Sequence, residues 1–323
     1  MKKVLNITNG DSAVEIMEKA GIPGDFLPWR DVLHDGPVPE GLSLEALSEV
    51  RAKFIIDQGW GTPENITASF VERDKTLRLF NNYEKVILWF EHDLYDQLQI
   101  IQILDWFNQH RPGKTPLSII CVDQYLGMLS PEEMVELFKY EEPINDEHLE
   151  LSSKAWSAFR SSNPEKWFEL LSADTTALPF LEGAIIRQLE EYPSCKNGLS
   201  RTENQALKII SKGETKPWKI FTGSQEFEER LFMGDSSFWV ILQELLESPT
   251  PLLKLEKDNK WERPPDLDHE ITITPVGEAV LFGEKNWLDL AEIDRWIGGV
   301  HLTTYNSWCW DSMTNSLVKS APK

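Results

Sequence analysis

The chain is short of cations. Its 323 residues carry 32 Lys and Arg against 53 Asp and Glu, a formal net charge of −21. A broad nucleic-acid surface works by displacing counterions from phosphate with Lys and Arg. None of the stretches 1–130, 131–195 and 196–323 is basic. Nucleic acid and anionic membranes are therefore disfavoured as partners, and what remains open is a local pocket for a single anion. Cysteine is scarce too. Cys121, Cys195 and Cys309 are odd in number, far apart and without paired metal spacing, which fits a reducing cytoplasm. No apolar run reaches the length of a membrane span. Lys2-Lys3 and the short apolar run after them read as a first strand, not a signal peptide. Neither G-x-G-x-x-G nor a P-loop occurs, so no dinucleotide or triphosphate is implied.

Aromatic residues are plentiful. Thirteen Trp and fifteen Phe in a chain that is 41% hydrophobic point to packed cores, and the length suffices for more than one. The order of elements predicts an α/β fold with a mostly parallel, Rossmann-like sheet over 1–130. Val4–Thr8, Asp25–Trp29, Lys85–Phe90 and Leu117–Val122 read as strands. Ala13–Ala20, Leu44–Gln58 and Leu94–Gln109 have helical spacing, the last ended by Arg111-Pro112-Gly113. The stretch 131–195 reads as an acidic helical connector with Trp156, Phe159, Trp167 and Phe168 as anchors. From 196 to 323 a winged-helix-like domain is expected. Its three helices begin at the Ser200-Arg-Thr-Glu203 capping box, near Trp218 and at an Asp235 cap. Strands at Leu252–Leu255 and Ile271–Thr274 follow, separated by a Pro-rich loop, and a C-terminal segment folds back. The recognition-helix position, Ser236–Glu247, has no Lys or Arg, which argues against reading a DNA groove and for an interaction unit.

In a parallel sheet the carboxyl ends of the strands share one edge, where ligands bind. Polar residues collect at these ends. Asn9-Gly10-Asp11-Ser12 opens the first helix. There Gly10 allows a sharp turn, and the helix N-terminus attracts an anion. The plain alternative is that Asp11 or Ser12 caps the helix. Asp31 leads into His34-Asp35-Gly36-Pro37, a His beside a carboxylate that suits an oriented base or a metal ligand. A self-bonded turn is the other reading. Glu91-His92-Asp93-Leu-Tyr-Asp96-Gln97 is the densest cluster. Asp93 reads as a helix N-cap, His92 and Asp96 are one turn apart, and Glu91 has no capping duty. Asp123-Gln124 has only its position to recommend it. The group at Glu91, His92, Asp96, His34 and Asp11 suits a divalent metal or a division of acid and base roles, or equally a network that ties two loops. Near the C-terminus, Asp294-Arg295-Trp-Ile-Gly-Gly-Val-His301 offers Arg295 for an anion and His301 beside it. The competing reading pairs Arg295 with an acid of the N-terminal domain.

Asn9-Gly10-Asp11-Ser12, His34-Asp35-Gly36-Pro37, Trp89-Phe90-Glu91-His92-Asp93-Leu94-Tyr95-Asp96-Gln97 and Asp294-Arg295-Trp296-Ile297-Gly298-Gly299-Val300-His301-Leu302 together resemble a bacterial family catalogued as domain of unknown function 1835. The resemblance covers roughly residues 1–125 and the C-terminal motif. It implies a bacterial cytosolic protein with a Rossmann-like front domain, and no activity. On the residues, the leading expectation is a hydrolase-type enzyme for a small polar, phosphorylated or nucleotide-like substrate. His34, Glu91 and His92 are its catalytic candidates. Asn9, Gly10, Asp11, Ser12, Asp35, Asp96, Arg295 and His301 are its substrate-binding candidates. The alternative is a non-catalytic module that binds a small ligand or a protein partner, including a second copy.

Overall fold

The structure is a computed structural model that describes residues 3–111, 113–256 and 260–319. Lys2 ahead of the expected first strand, Pro112 of the expected stop and part of the Pro-rich loop lie outside them. The chain divides into two compact units, 1–185 with 298–300, and 186–297 with 301–323. The connector expected at 131–195 is thus divided between them, and most of it belongs with the sheet.

The first unit is α/β. In chain order it contains β1 (Val4–Thr8), α1 (Asp11–Lys19), β2 (Asp25–Pro28), α2 (Leu44–Asp57), α3 (Pro63–Arg78), β3 (Lys85–Glu91), α4 (Leu94–Gln109), β4 (Leu117–Val122), α5 (Pro131–Glu136), β5 (Glu142–Pro143), α6 (Asp146–Phe159), α7 (Glu165–Glu169) and the start of α8 (Leu181–Leu189). The strand order is β2-β1-β3-β4-β5. The first three pairings are parallel, and β5 is antiparallel to β4. Pro28 is tolerated because β2 is an edge strand. The chain steps one way from β1 to β2 and the other way from β3 to β4. Right-handed crossovers then put α1 and α4 on opposite faces. Alternation along the strands agrees. Ile87, Trp89, Ile120 and Val122 share a core with Ala13 and Met17 of α1 and Met134 of α5, while Leu88 and Phe90 are buried on the other side. The order reverses between β1 and β3, so the crevice beyond their carboxyl ends is the topological switch point, the usual ligand position in such sheets.

The second unit continues with α9 (Arg201–Ser211), α10 (Pro217–Gln225), α11 (Asp235–Glu247), β6 (Leu253–Leu255), β7 (Ile271–Ile273), α12 (Pro275–Leu281), β8 (Asp294–Ile297), β9 (Val300–Thr303) from His301 on, β10 (Trp308–Asp311) and β11 (Ser316–Lys319). The capping box at Ser200 and Glu203 forms with both bonds in place. Gly234, not Asp235, is the N-cap of α11, and the helix expected over roughly Trp218 to Phe232 ends at Gln225. β6–β7 is an antiparallel pair, and β8–β9 and β10–β11 form further two-stranded sheets. Among the described residues no helix is long and apolar enough to cross a membrane.

Candidate functional site

The site is built where β1 and β3 end. Asn9 follows β1. Its side-chain amide donates to Glu91 Oε1 at 2.8 Å and to Asp96 Oδ2 at 3.0 Å. Glu91 is the last residue of β3, and its Oε1 also accepts from the backbone N–H of Leu126 at 2.8 Å. Asp93 caps α4 as expected, accepting from Asp96 N–H at 3.2 Å. Asp96 turns back to accept from the backbone N–H of Glu91 at 3.1 Å. One carboxylate oxygen from each of Glu91, Asp93 and Asp96 lies within 4.8 Å of the others. All three residues are buried, at 6%, 3% and 1% exposure. The chain therefore holds three acids close together and away from water.

That arrangement decides the charge state. Burial raises the Glu91 carboxyl above its ordinary value. Burial and then the neighbouring Glu91 push Asp93 up to about 8. Burial, then Asp93 and Glu91, raise Asp96 well above the ordinary carboxylate range. The Glu91 and Asp93 carboxyls lie close enough for each to act on the other's titration. Carboxyls so placed favour a shared proton at neutral pH, or a cation that takes its place.

The two histidines flank the cluster. His92 packs among Tyr125 and Phe180, with ring centroids at 5.1 and 5.9 Å. His34 sits edge-on to Tyr95 at 6.0 Å, with Nε2 3.6 Å from Asp35 Oδ2. The Tyr95 hydroxyl reaches the carbonyl of Asn9 at 3.4 Å. His34, Tyr95, Asn9 and Glu91 thus form one continuous run of contacts along the sheet edge.

The His34 loop is held by a residue that sequence reasoning missed. Arg51, fully buried in α2, donates to Asp31 Oδ1 at 2.9 Å and to the carbonyls of Asp35 at 2.7 Å, Pro37 at 3.2 Å and Val32 at 2.7 Å. Arg73 adds an ion pair to Asp31 at 3.8 Å. Asp31 is thereby a structural anchor. Gly36 has φ of +72°, and a Cβ there would meet the Phe54 ring at 2.6 Å. Only glycine suits that turn.

No protein-family model matches the chain, and no curated protein matches it. The site's geometry is therefore the basis for reading it.

Several expected residues stand elsewhere. Asp11 does not cap α1, whose N-cap is Gly10 with no side-chain cap. Asp11 is exposed and is gripped by Arg30 through three bonds of 2.6 to 3.1 Å. Gly10 is extended, at φ −171°, a backbone any residue adopts, so the expected sharp turn is absent; a Cβ there would meet nothing within 4 Å. Ser12 is exposed, and its Cβ backs onto Gly127. Asp123 and Gln124 are exposed; their loop contributes the Leu126 N–H and the Tyr125 ring instead.

Arg295 and His301 lie in the second unit. Arg295 donates to Glu203 and Glu244, at 2.5 and 2.7 Å. Its partners are thus acids of its own unit, not of the N-terminal domain, and an anionic ligand would have to displace a carboxylate. His301 pairs with Asp294 at 2.5 Å and stacks on Trp296 at 4.5 Å. The turn between them behaves differently. Gly298–Val300 belongs to the first unit, where Val38 N–H donates to the Gly298 carbonyl at 2.8 Å and Gly299 N–H to the Phe159 carbonyl at 2.9 Å.

Proposed function

We propose that the switch point is the active site of a hydrolase-type enzyme for a small polar, phosphorylated or nucleotide-like substrate. In this reading Glu91, Asp93 and Asp96 hold a divalent cation, Asn9 orients two of them, and His34 and His92 serve as acid and base. The observation that carries it is the three buried carboxyls within 4.8 Å of one another at the crevice. Oxygen-only ligands of this kind suit Mg²⁺ or Mn²⁺. The N-terminus of α1, beside Asn9 and free of a side-chain cap, is the natural seat for a phosphate. The test combines thermal melting with Mg²⁺, Mn²⁺ or Zn²⁺ and turnover of a panel of phosphomonoesters and nucleotides. A rise in midpoint that disappears in Asp96→Asn, with turnover that needs the cation, is expected. A flat response across all three metals overturns the cation.

A second reading has its own support. The carboxyl oxygens already accept from Asn9, Leu126, Glu91 and Asp96 N–H groups. A closed network of this kind suits a non-catalytic ligand module, and ligand-dependent melting without turnover selects it. The finer fold assignments belong to the same proposal: a Rossmann-like first unit, and a winged-helix-like arrangement of α9, α10, α11 and β6–β7 used for protein contact. So does a cytoplasmic bacterial setting, together with the resemblance to domain of unknown function 1835.

A further inference from the structure

The second unit brings together two of the three cysteines. Cys195 lies in the segment between α8 and α9, and Cys309 lies in β10. Their backbones are interlocked. The Trp310 N–H donates to the Pro193 carbonyl at 2.8 Å, and the Cys195 N–H donates to the Trp310 carbonyl at 3.0 Å. This makes a parallel bridge between Ser194 and Trp310. Cys195 is the first residue of the turn that follows Ser194, and Cys309 directly precedes Trp310 in β10, so the bridge has a cysteine next to each partner. The cavities show that the two share one face. Ser194 and Trp310 line a cavity of 340 Å³, whereas both cysteines line a separate one of 220 Å³ with Asn286, Asp289 and Ser307. The Cys309 thiol is close enough to disfavour ionisation of Cys195, and neither is in a disulfide.

We propose that Cys195 and Cys309 are a modification site, a dithiol that closes reversibly to a disulfide when a disulfide oxidant enters the 220 Å³ cavity. Cys195, the more exposed thiol, attacks the oxidant as thiolate and releases one thiol. Cys309 as thiolate then attacks the Cys195 sulfur of the mixed disulfide and releases the second. Two protein thiols lose two electrons and two protons, and one small disulfide gains them as two thiols. Burial, then Cys309 and Asp311, push the Cys195 thiol up to about 12, so the exchange is slow and is best read at equilibrium. The bond would tie the segment before α9 to β10 and close a chain loop from 195 to 309, which restricts the unfolded chain.

The experiment uses the full chain, equilibrated with oxidised glutathione, then denatured, alkylated and analysed as peptides by mass. The expected result is a crosslinked Cys195–Cys309 peptide, loss of two alkylation sites, an alkylated Cys121 and a raised melting midpoint, all reversed by dithiothreitol. Cys195→Ser and Cys309→Ser each abolish the crosslink, and their melting without oxidant reports whether they fold. Alkylation of all three cysteines at equilibrium, or a glutathione adduct on Cys195 without the crosslink, overturns the proposal.

Discussion

The strongest consequence of the carboxyl cluster is an inverted pH dependence that Asp93→Asn removes. In the folded chain the Asp93 carboxyl is raised from 3.8 to about 8. Between those values the folded chain keeps a proton that the unfolded chain has released. The stability this proton contributes is complete below about pH 3.8 and is lost as pH rises to about 8. One such proton changes stability by about 1.4 kcal/mol per pH unit. Over the whole window the loss is on the order of 5 kcal/mol, and Glu91 and Asp96 act in the same direction. Most carboxylates that pair with cations act in the opposite direction, so the quantity to measure is the difference between two proteins. Asparagine at position 93 caps a helix as well as aspartate. Its amide can also donate to Glu91 where the shared proton stood. It therefore imitates the protonated state at every pH.

Urea unfolding of both proteins from pH 4.5 to 8.5 tests this. The two stabilities should lie close together at pH 4.5. They should separate as pH rises, with Asp93→Asn the more stable by several kcal/mol at pH 8.5. Curves that run parallel across the range would refute the assignment of a folded-state proton to this cluster. Saturating Mg²⁺ or Mn²⁺ should flatten the wild-type curve, because a cation replaces the proton, and should leave Asp93→Asn nearly unchanged.

Three further outcomes follow from named contacts. Arg51→Ala leaves Asp31 buried with only Arg73 nearby and frees the His34 loop, so unfolding by urea should show a loss of about 3–5 kcal/mol. Gly36→Ala forces a side chain into a positive-φ position against Phe54, and a loss of about 1–3 kcal/mol should appear as a lower melting midpoint. Arg295→Gln should leave any melting shift produced by the phosphomonoester panel unchanged, because the guanidinium is engaged by Glu203 and Glu244; loss of such a shift would restore Arg295 to the proposed site.

Much of the framework was legible because it obeys local rules. The apolar run of β3, the Asp93 cap of α4 and the Ser200–Glu203 capping box each announce themselves within a few residues. What was not legible depends on contacts between distant segments. The helix α3 buries Arg73 and Asp74 as well as Phe70 and Leu77, so its inward face has no apolar period to detect. Arg51 is 0% exposed in α2, yet a lone Arg in a helix reads as a solvated position. Asn9 and Asp11 are two residues apart, and composition favours the acid. The structure turns Asn9 inward and Asp11 out to Arg30. One missed signal was available. Gly298-Gly299 between two short runs rich in β-formers is a hairpin pattern, and β8 and β9 form around it.

The cluster also bears on whether the network exists only to join loops. A tie between the ends of β1 and β3 needs donors and acceptors that match, and neutral amides supply both without a charge to desolvate. The chain uses such a group once, at Asn9, whose amide serves two acceptors. The facing positions are three acids rather than glutamine or asparagine. Burying them lowers stability across the neutral range by the linkage worked out for Asp93, a cost that an amide network of the same shape avoids. Acids at all three positions are therefore understandable if a positive species enters and leaves there. A proton and a small metal cation both fit ligand atoms within 4.8 Å, and the divalent cation is the one proposed here. They compete for the same oxygens, so cation affinity should rise with pH through the neutral range as the Asp93 proton is lost. Titration calorimetry at pH 6, 7 and 8 in buffers of different ionisation enthalpy separates the cases. Release of about one proton per cation at pH 7 supports exchange at this site, and heats that are independent of buffer refute it.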